Sequence, residues 1–144
     1  MVFAFWATWC APCIRSELPK VEAVYKSLHG NPDVIFFGVL FDDSRDRAET
    51  FAEREKLSLP LAYDTSKAAA RLGVDGPPRL LVMDKAGNIR LDVAGGDESD
   101  ELETRLPSLI SKLLKEDSPN WPGKSTPHRC EVPYFPIFPV PSQC

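Results

Sequence analysis

Cys10 and Cys13, separated by Ala11 and Pro12, are the residues of this chain best equipped for chemistry. An apolar run from Val2 to Ala7 ends just before them, and a helical pattern starts directly after. A thiol at the mouth of a helix meets the unpaired N–H groups and positive end of the helix dipole. Both favour the thiolate, the form that attacks disulfides. The second thiol, one turn on, is placed to close a disulfide with the first. The expected chemistry is dithiol–disulfide exchange: Cys10 attacks a substrate disulfide, and Cys13 then resolves the mixed disulfide. That division of labour calls for an exposed Cys10 with a lowered pKa and a partly buried Cys13. Pro12 stiffens the intervening loop and is tolerated in a first helical turn. Trp9 is expected to pack beside the pair and limit solvent access, whereas Trp6 reads as a core aromatic.

Other chemistries fit these residues less well. Zinc needs four ligands, commonly as two closely spaced pairs. Only one such pair is present, with His128 and Cys130 more than a hundred residues away in a proline-rich stretch. A peroxidatic cysteine follows a Thr-x-x-Cys pattern, and Thr8-Trp9-Cys10 is one residue short of it. No metal site and no cofactor are therefore expected. His29 reads as a helix-end residue, and Arg79 as an exposed residue at a strand end. The four cysteines are too few and too unevenly spread for a disulfide scaffold, and the pairing of Cys130 and Cys144 stays open.

The elements that must position the pair follow from periodicity. Residues 2–7 form a continuous apolar run, the mark of a strand buried on both faces. Ile14, Leu18, Val21, Tyr25 and Leu28 then share one helical face, which ends near His29-Gly30-Asn31-Pro32. Pro19 lies inside this helix and is expected to kink it. A second central strand spans residues 34–40. Asp42, Asp43 and Ser44 offer capping oxygens to a helix running to about Lys56, with Ala48, Phe51 and Ala52 facing inward. A short extended segment at 59–63 and a short helix at 66–72, closed by Gly73, come next. Arg79 to Met83, a turn at Lys85-Ala86-Gly87-Asn88, and Ile89 to Val93 form a hairpin. Gly95-Gly96 breaks the pattern before a last amphipathic helix through Leu102, Leu106, Leu109, Ile110 and Leu113. Pro107 implies a kink in that helix or a start near that residue. Strands alternating with helices imply parallel pairing, and the hairpin adds antiparallel strands. The expected class is α/β, a mixed central sheet flanked by helices.

The 144 residues suit one domain, expected over 1–116, followed by an extended or disordered tail over 117–144. That tail carries prolines at 119, 122, 127, 133, 136, 139 and 141, with aromatic residues between them. The net charge of −4, with both signs interspersed, argues against nucleic acid as a partner. No apolar run is long enough to span a bilayer. Met1 leads directly into the first strand, so a missing leader and first segments are expected; a true start at Met1 would place the chain in the cytoplasm.

The stretch Phe5-Trp6-Ala7-Thr8-Trp9-Cys10-Ala11-Pro12-Cys13 resembles the thioredoxin superfamily, most closely its TlpA/ResA-like branch among the redoxin and AhpC/TSA-like proteins. Gly76-Pro77-Pro78 followed by a strand and Asp84-x-x-Gly87-x-Ile89 is similar to that family's strand–turn–strand unit, as is the Phe41-Asp42-Asp43 strand end. The resemblance covers roughly residues 2–115. It implies a thioredoxin fold, a cis-proline at Pro78 (or Pro77) facing the dithiol, and a substrate-docking role for Trp9, Pro12, Pro77 and Pro78. Two departures stand out. Pro77 lacks the N–H that the residue before the cis-proline normally offers to the substrate strand. The acid expected to accept the resolving thiol's proton is also displaced. Thioredoxin's buried aspartate position is Ala4, and the TlpA-like glutamate position is Ser16, with Glu17 and Pro19 each one residue late. One extra residue rotates a side chain by about 100° on an ideal helix unless the helix start or a kink absorbs it. Glu17 is thus the candidate proton acceptor. The resemblance further implies a monomeric protein-disulfide reductase that takes disulfide-containing protein substrates, apocytochromes among them, draws on a dithiol electron donor, and works in the periplasm or elsewhere outside the cytoplasm. The alternatives are a non-catalytic thioredoxin-like binding module and a metal-binding domain.

Overall fold

The structure, a computed structural model, describes residues 1–95 and 101–116. The expected tail, with Cys130 and Cys144, lies outside these residues, as does Gly96. Five strands form one mixed sheet: β1 (Val2–Trp6), β2 (Phe36–Leu40), β3 (Leu61–Tyr63), β4 (Arg79–Met83) and β5 (Ile89–Ala94). Their spatial order is β3-β2-β1-β4-β5. β1 pairs in parallel with β2 (Trp6 opposite Leu40) and antiparallel with β4 (Phe5 opposite Arg79). The α-helices among the described residues are α1 (Leu18–Leu28), α2 (Arg45–Glu55), α3 (Ala68–Arg71) and α4 (Glu101–Lys115).

The continuous apolar composition of β1 follows from its central place. Val2, Ala4 and Trp6 join the larger core beneath α1 and α4, with Val21, Val24, Leu102, Leu106 and Ile110. Phe3 and Phe5 point to the opposite face and pack with Val39, Ala62, Ala69 and Leu81. All five residues of β1 are buried, so no position tolerates a polar side chain. Gly38 of β2 is required by close approach: a Cβ there would lie 3.2 Å from the Trp6 indole nitrogen and 3.1 Å from Leu59 Cδ2.

Several boundaries differ from those expected. β2 begins at Phe36 rather than residue 34, because the Ile35 side chain is turned outward while its carbonyl accepts the Val2 N–H. Ser44 precedes α2 without a capping bond from its hydroxyl; the Asp43 carboxylate takes the Ser44 N–H instead. Asp64 caps α3 by accepting from the amides of Ala68 and Ala69, which shortens the helix expected at 66–72. α4 (Glu101–Lys115) runs through Pro107. Its buried stripe of Leu102, Leu106, Ile110 and Leu113 outweighs the one backbone bond the proline removes. Among the described residues no helix is long and apolar enough to cross a membrane.

One buried carboxylate ties the helical layer to the sheet. Glu22 of α1 accepts from the backbone N–H groups of Ser58 (2.7 Å) and Leu59 (2.9 Å), just ahead of β3, and pairs with Lys26 at 3.2 Å. Burial pushes its pKa up, but these amides and the ammonium outweigh it and hold the group below its ordinary value. A depressed folded-state pKa contributes stability above the unfolded value of about 4.3, and that stability is lost as pH falls through the folded pKa. Glu22→Gln is therefore expected to cost about 1–3 kcal/mol at neutral pH. The gap between the two proteins should close as thermal melts move from pH 7 to pH 3. A gap that is absent or independent of pH would contradict this role.

Candidate active site

β1 ends at Trp6, and the chain turns at once: the Cys10 N–H donates to the Ala7 carbonyl at 3.2 Å. The turn delivers Cys10 to the start of the helical segment that leads into α1. Cys10 and Cys13 are joined as a disulfide, with the Cα atoms 5.3 Å apart. The Cys13 N–H points at Cys10 Sγ across 3.3 Å, and Ile14 N–H closes onto the Cys10 carbonyl. This is the environment expected of a thiol at a helix mouth: once reduced, Cys10 has a backbone donor aimed at its sulfur.

The expected exposure of Cys10 is not found. Cys10 is 4% and Cys13 1% exposed, and both belong to the larger core. The reason is packing: both cysteines lie within the core that also holds Trp6, Leu40 and Leu80. Trp9 supplies the exposed surface instead. It is 57% exposed, with its indole N–H on the Asp42 carbonyl at 3.2 Å, so it forms the rim of the site rather than a cover.

Glu17 shows how the displaced residue is accommodated. Cys13–Glu17 is a π-helical turn, closed by the Leu18 N–H donating to the carbonyl of Cys13, five residues back. A π-turn holds one residue more than an α-turn. It therefore returns Glu17 close to the angle that the third residue after Cys13 has on an α-helix, and it absorbs the rotation of about 100° that an insertion otherwise causes. Glu17 is 3% exposed, and it and Cys13 are the two buried residues of that turn. Pro19 follows in the first turn of α1. A proline there has no N–H to donate and would strike the carbonyl four residues back in a regular helix; the widened turn just before it removes that conflict. A π-turn and a helix start at Leu18 stand where a kink inside the helix was expected.

The proline loop lies at the same end of the sheet. Phe5 sits opposite Arg79, so Pro77 and Pro78 extend past the edge where β1 turns toward Cys10. The peptide bond between them is cis, which identifies Pro78 as the cis residue. Pro78 is buried and its carbonyl accepts the Gly95 N–H at 3.0 Å. Arg79 is turned to Asp92 on β5, in a two-bonded ion pair. Among the described residues no cluster of three or more His, Cys, Asp or Glu has the arrangement of a metal site.

Missed by sequence reasoning is Asp43. It reads as a helix cap, yet it also grips Thr8, two residues before Cys10, through both the N–H (2.6 Å) and the hydroxyl. The adjoining Phe41-Asp42-Asp43 resemblance was the only signal in the sequence pointing there.

Residues 1–91 match the AhpC/TSA family. The thiol-disulfide oxidoreductase ResA of Geobacillus kaustophilus is 29% identical over 106 residues, which make up 73% of this chain and 60% of ResA. The thiol:disulfide interchange protein HelX of Rhodobacter capsulatus is 32% identical over 109 residues, 74% of this chain and 58% of HelX. The chain thus spans about three fifths of the length of these two relatives. Among solved structures, DsbF of MTB, in mixed oxidised and reduced forms, is similar with a TM-score of 0.63 and 32% identity, covering 75% of this chain and 78% of DsbF.

If the π-turn holds one inserted residue, deleting Ser16 restores a regular α-turn with Glu17 and Pro19 one place closer to Cys13. Because the regular turn brings back the Pro19 conflict, the deletion variant is expected to keep its disulfide but to melt at a lower temperature, by a loss of about 3 kcal/mol. A melting temperature equal to that of the parent would show that the widened turn does not relieve the proline.

Proposed function

The chain belongs to the AhpC/TSA family, as a TlpA/ResA-like domain of the thioredoxin superfamily, and we propose that it is a thiol–disulfide oxidoreductase that reduces protein disulfides through Cys10 and Cys13. The observation that carries this reading is the Cys10–Cys13 disulfide at a helix mouth, with the Cys13 N–H aimed at Cys10 Sγ. The names of ResA and HelX support disulfide exchange as the reaction class.

In the proposed cycle, the reduced Cys10 thiolate attacks one sulfur of a substrate disulfide. A mixed disulfide forms and the other substrate sulfur leaves as a thiolate. Cys13 loses its proton, attacks Cys10 Sγ, and releases the second substrate thiolate. Two electrons pass to the substrate, and the protein is left in the oxidised form. A separate dithiol donor then returns it to the dithiol state. Glu17, buried in the same turn as Cys13, is the proposed acceptor of the Cys13 proton. Trp9 on the rim, Pro12 in the loop, and Pro77 and Pro78 at the adjoining sheet edge are the proposed substrate contacts. Pro77 has no N–H for an incoming strand, so docking rests more on the carbonyl groups and side chains of this edge. The proposed unit is residues 1–116, acting as a monomer. Its resemblance to TlpA/ResA-like domains supports an extracytoplasmic, periplasmic setting with apocytochromes among the substrates.

Insulin-disulfide reduction tests the reading. The wild type is expected to turn over, Cys10→Ser to be inactive, and Glu17→Gln to slow resolution about 10²-fold with its alkaline pH dependence altered. Equal turnover by wild type and Cys10→Ser would falsify the assignment.

A further inference from the structure

The end of β2 holds the turn that aims Cys10. Phe41 N–H continues the strand ladder onto the Trp6 carbonyl, and the Trp9 indole N–H reaches the Asp42 carbonyl. Between these two contacts, Asp43 Oδ2 accepts both the N–H and the hydroxyl of Thr8. The other oxygen, Oδ1, accepts the Ser44 N–H at 2.7 Å and the Arg47 guanidinium at 2.7 Å. Four donors converge on one carboxylate whose side chain is fully buried. Thr8 lies within the Ala7–Cys10 turn, so whatever fixes Thr8 fixes where Cys10 emerges. We propose that Asp43 is a positioning residue for the nucleophile, acting on Cys10 through Thr8.

This role rests on the exchange reaction proposed above. Burial raises the Asp43 pKa, but the Thr8 hydroxyl and amide, the Ser44 amide and Arg47 outweigh it, so the carboxylate stays charged at neutral pH. The geometry also separates positioning from charge. Removing a nearby negative charge by itself favours the Cys10 thiolate and moves its titration to lower pH. Losing the grip on Thr8 instead lowers the rate at which a fully formed thiolate reacts, because the attack geometry is no longer held. Asp43→Asn keeps the shape but sets an amide donor against one of the N–H groups.

The test uses the full chain with Cys13→Ser, Cys130→Ser and Cys144→Ser, leaving Cys10 as the sole thiol. The probe is 5,5′-dithiobis(2-nitrobenzoate), with rates measured from pH 5 to pH 10. Asp43→Asn is expected to lower the alkaline plateau about ten- to hundredfold. Thr8→Val, which keeps the N–H, should lower it less, and Thr8→Ser should restore the parental plateau. The double variant Asp43→Asn with Thr8→Val should fall short of the product of the single effects, because the two share one contact. An unchanged plateau in Asp43→Asn, or multiplicative effects in the double variant, would overturn the proposal. Should Asp43→Asn not fold, the Thr8→Val and Thr8→Ser plateaus decide it: equal plateaus in both overturn the role. A parent that fails to react with the probe or with insulin instead overturns the underlying exchange reaction.

Discussion

Everything at this site depends on a strand that is buried on both faces and stops at a fixed point. β1 lies between β2 and β4, with Trp6 and Ala4 in one core and Phe5 and Phe3 in the other. Such a strand cannot slip in register without exposing a row of large side chains or burying polar ones. Its end is therefore a rigid platform. The chain needs only a tight turn from Ala7 to Cys10 to bring the first sulfur to the start of a helix. The partner strands end at the same level, which brings Asp42 and Asp43 to one side of the turn and the Pro77–Pro78 bond to the other.

The helix that follows faces two local difficulties, and one device meets both. Pro19 conflicts with a regular α-helix, and Glu17 stands one residue beyond the position that the TlpA/ResA-like resemblance gives to the acid. A π-turn at Cys13–Glu17 ends the first hydrogen-bond register before the proline and rotates Glu17 back. π-turns are frequent at functional sites because they change the aim of a side chain without interrupting the helix. Here the change brings a buried carboxylate into the same turn as the second thiol.

Much of this was legible in the residues. The Cys-Ala-Pro-Cys spacing, the unbroken apolar run of β1, and the Lys85-Ala86-Gly87-Asn88 turn are local signals, and each meets the element expected of it. Asp84 shows the same locality: the Asn88 amide is the largest influence holding its pKa down at about 2. What was not legible depends largely on partners distant in sequence. Asp43 meets Thr8 across 35 positions, so beside Ser44 it reads only as a cap. The course of α4 through Pro107 was masked by that proline, whose local preference is overruled by a buried stripe that exists only once α4 packs on α1. The burial of Cys10 comes from the core gathered around it, whose members include Leu40, Leu80 and Leu102, far along the chain. The π-turn leaves the apolar spacing of Ile14, Leu18 and Val21 compatible with an ordinary helix, so periodicity alone does not reveal it.

The central claim is that Cys10 is the attacking sulfur and Cys13 the resolving one. Trapping tests it most directly: reduced Cys13→Ser protein is mixed with a disulfide-containing protein substrate and the adducts are mapped by peptide mass spectrometry. The account predicts a persistent mixed disulfide through Cys10, released by added dithiol and absent when Cys10 is also replaced by serine. Adducts that form equally well without Cys10, or that accumulate through Cys13 in a Cys10→Ser protein, would contradict it.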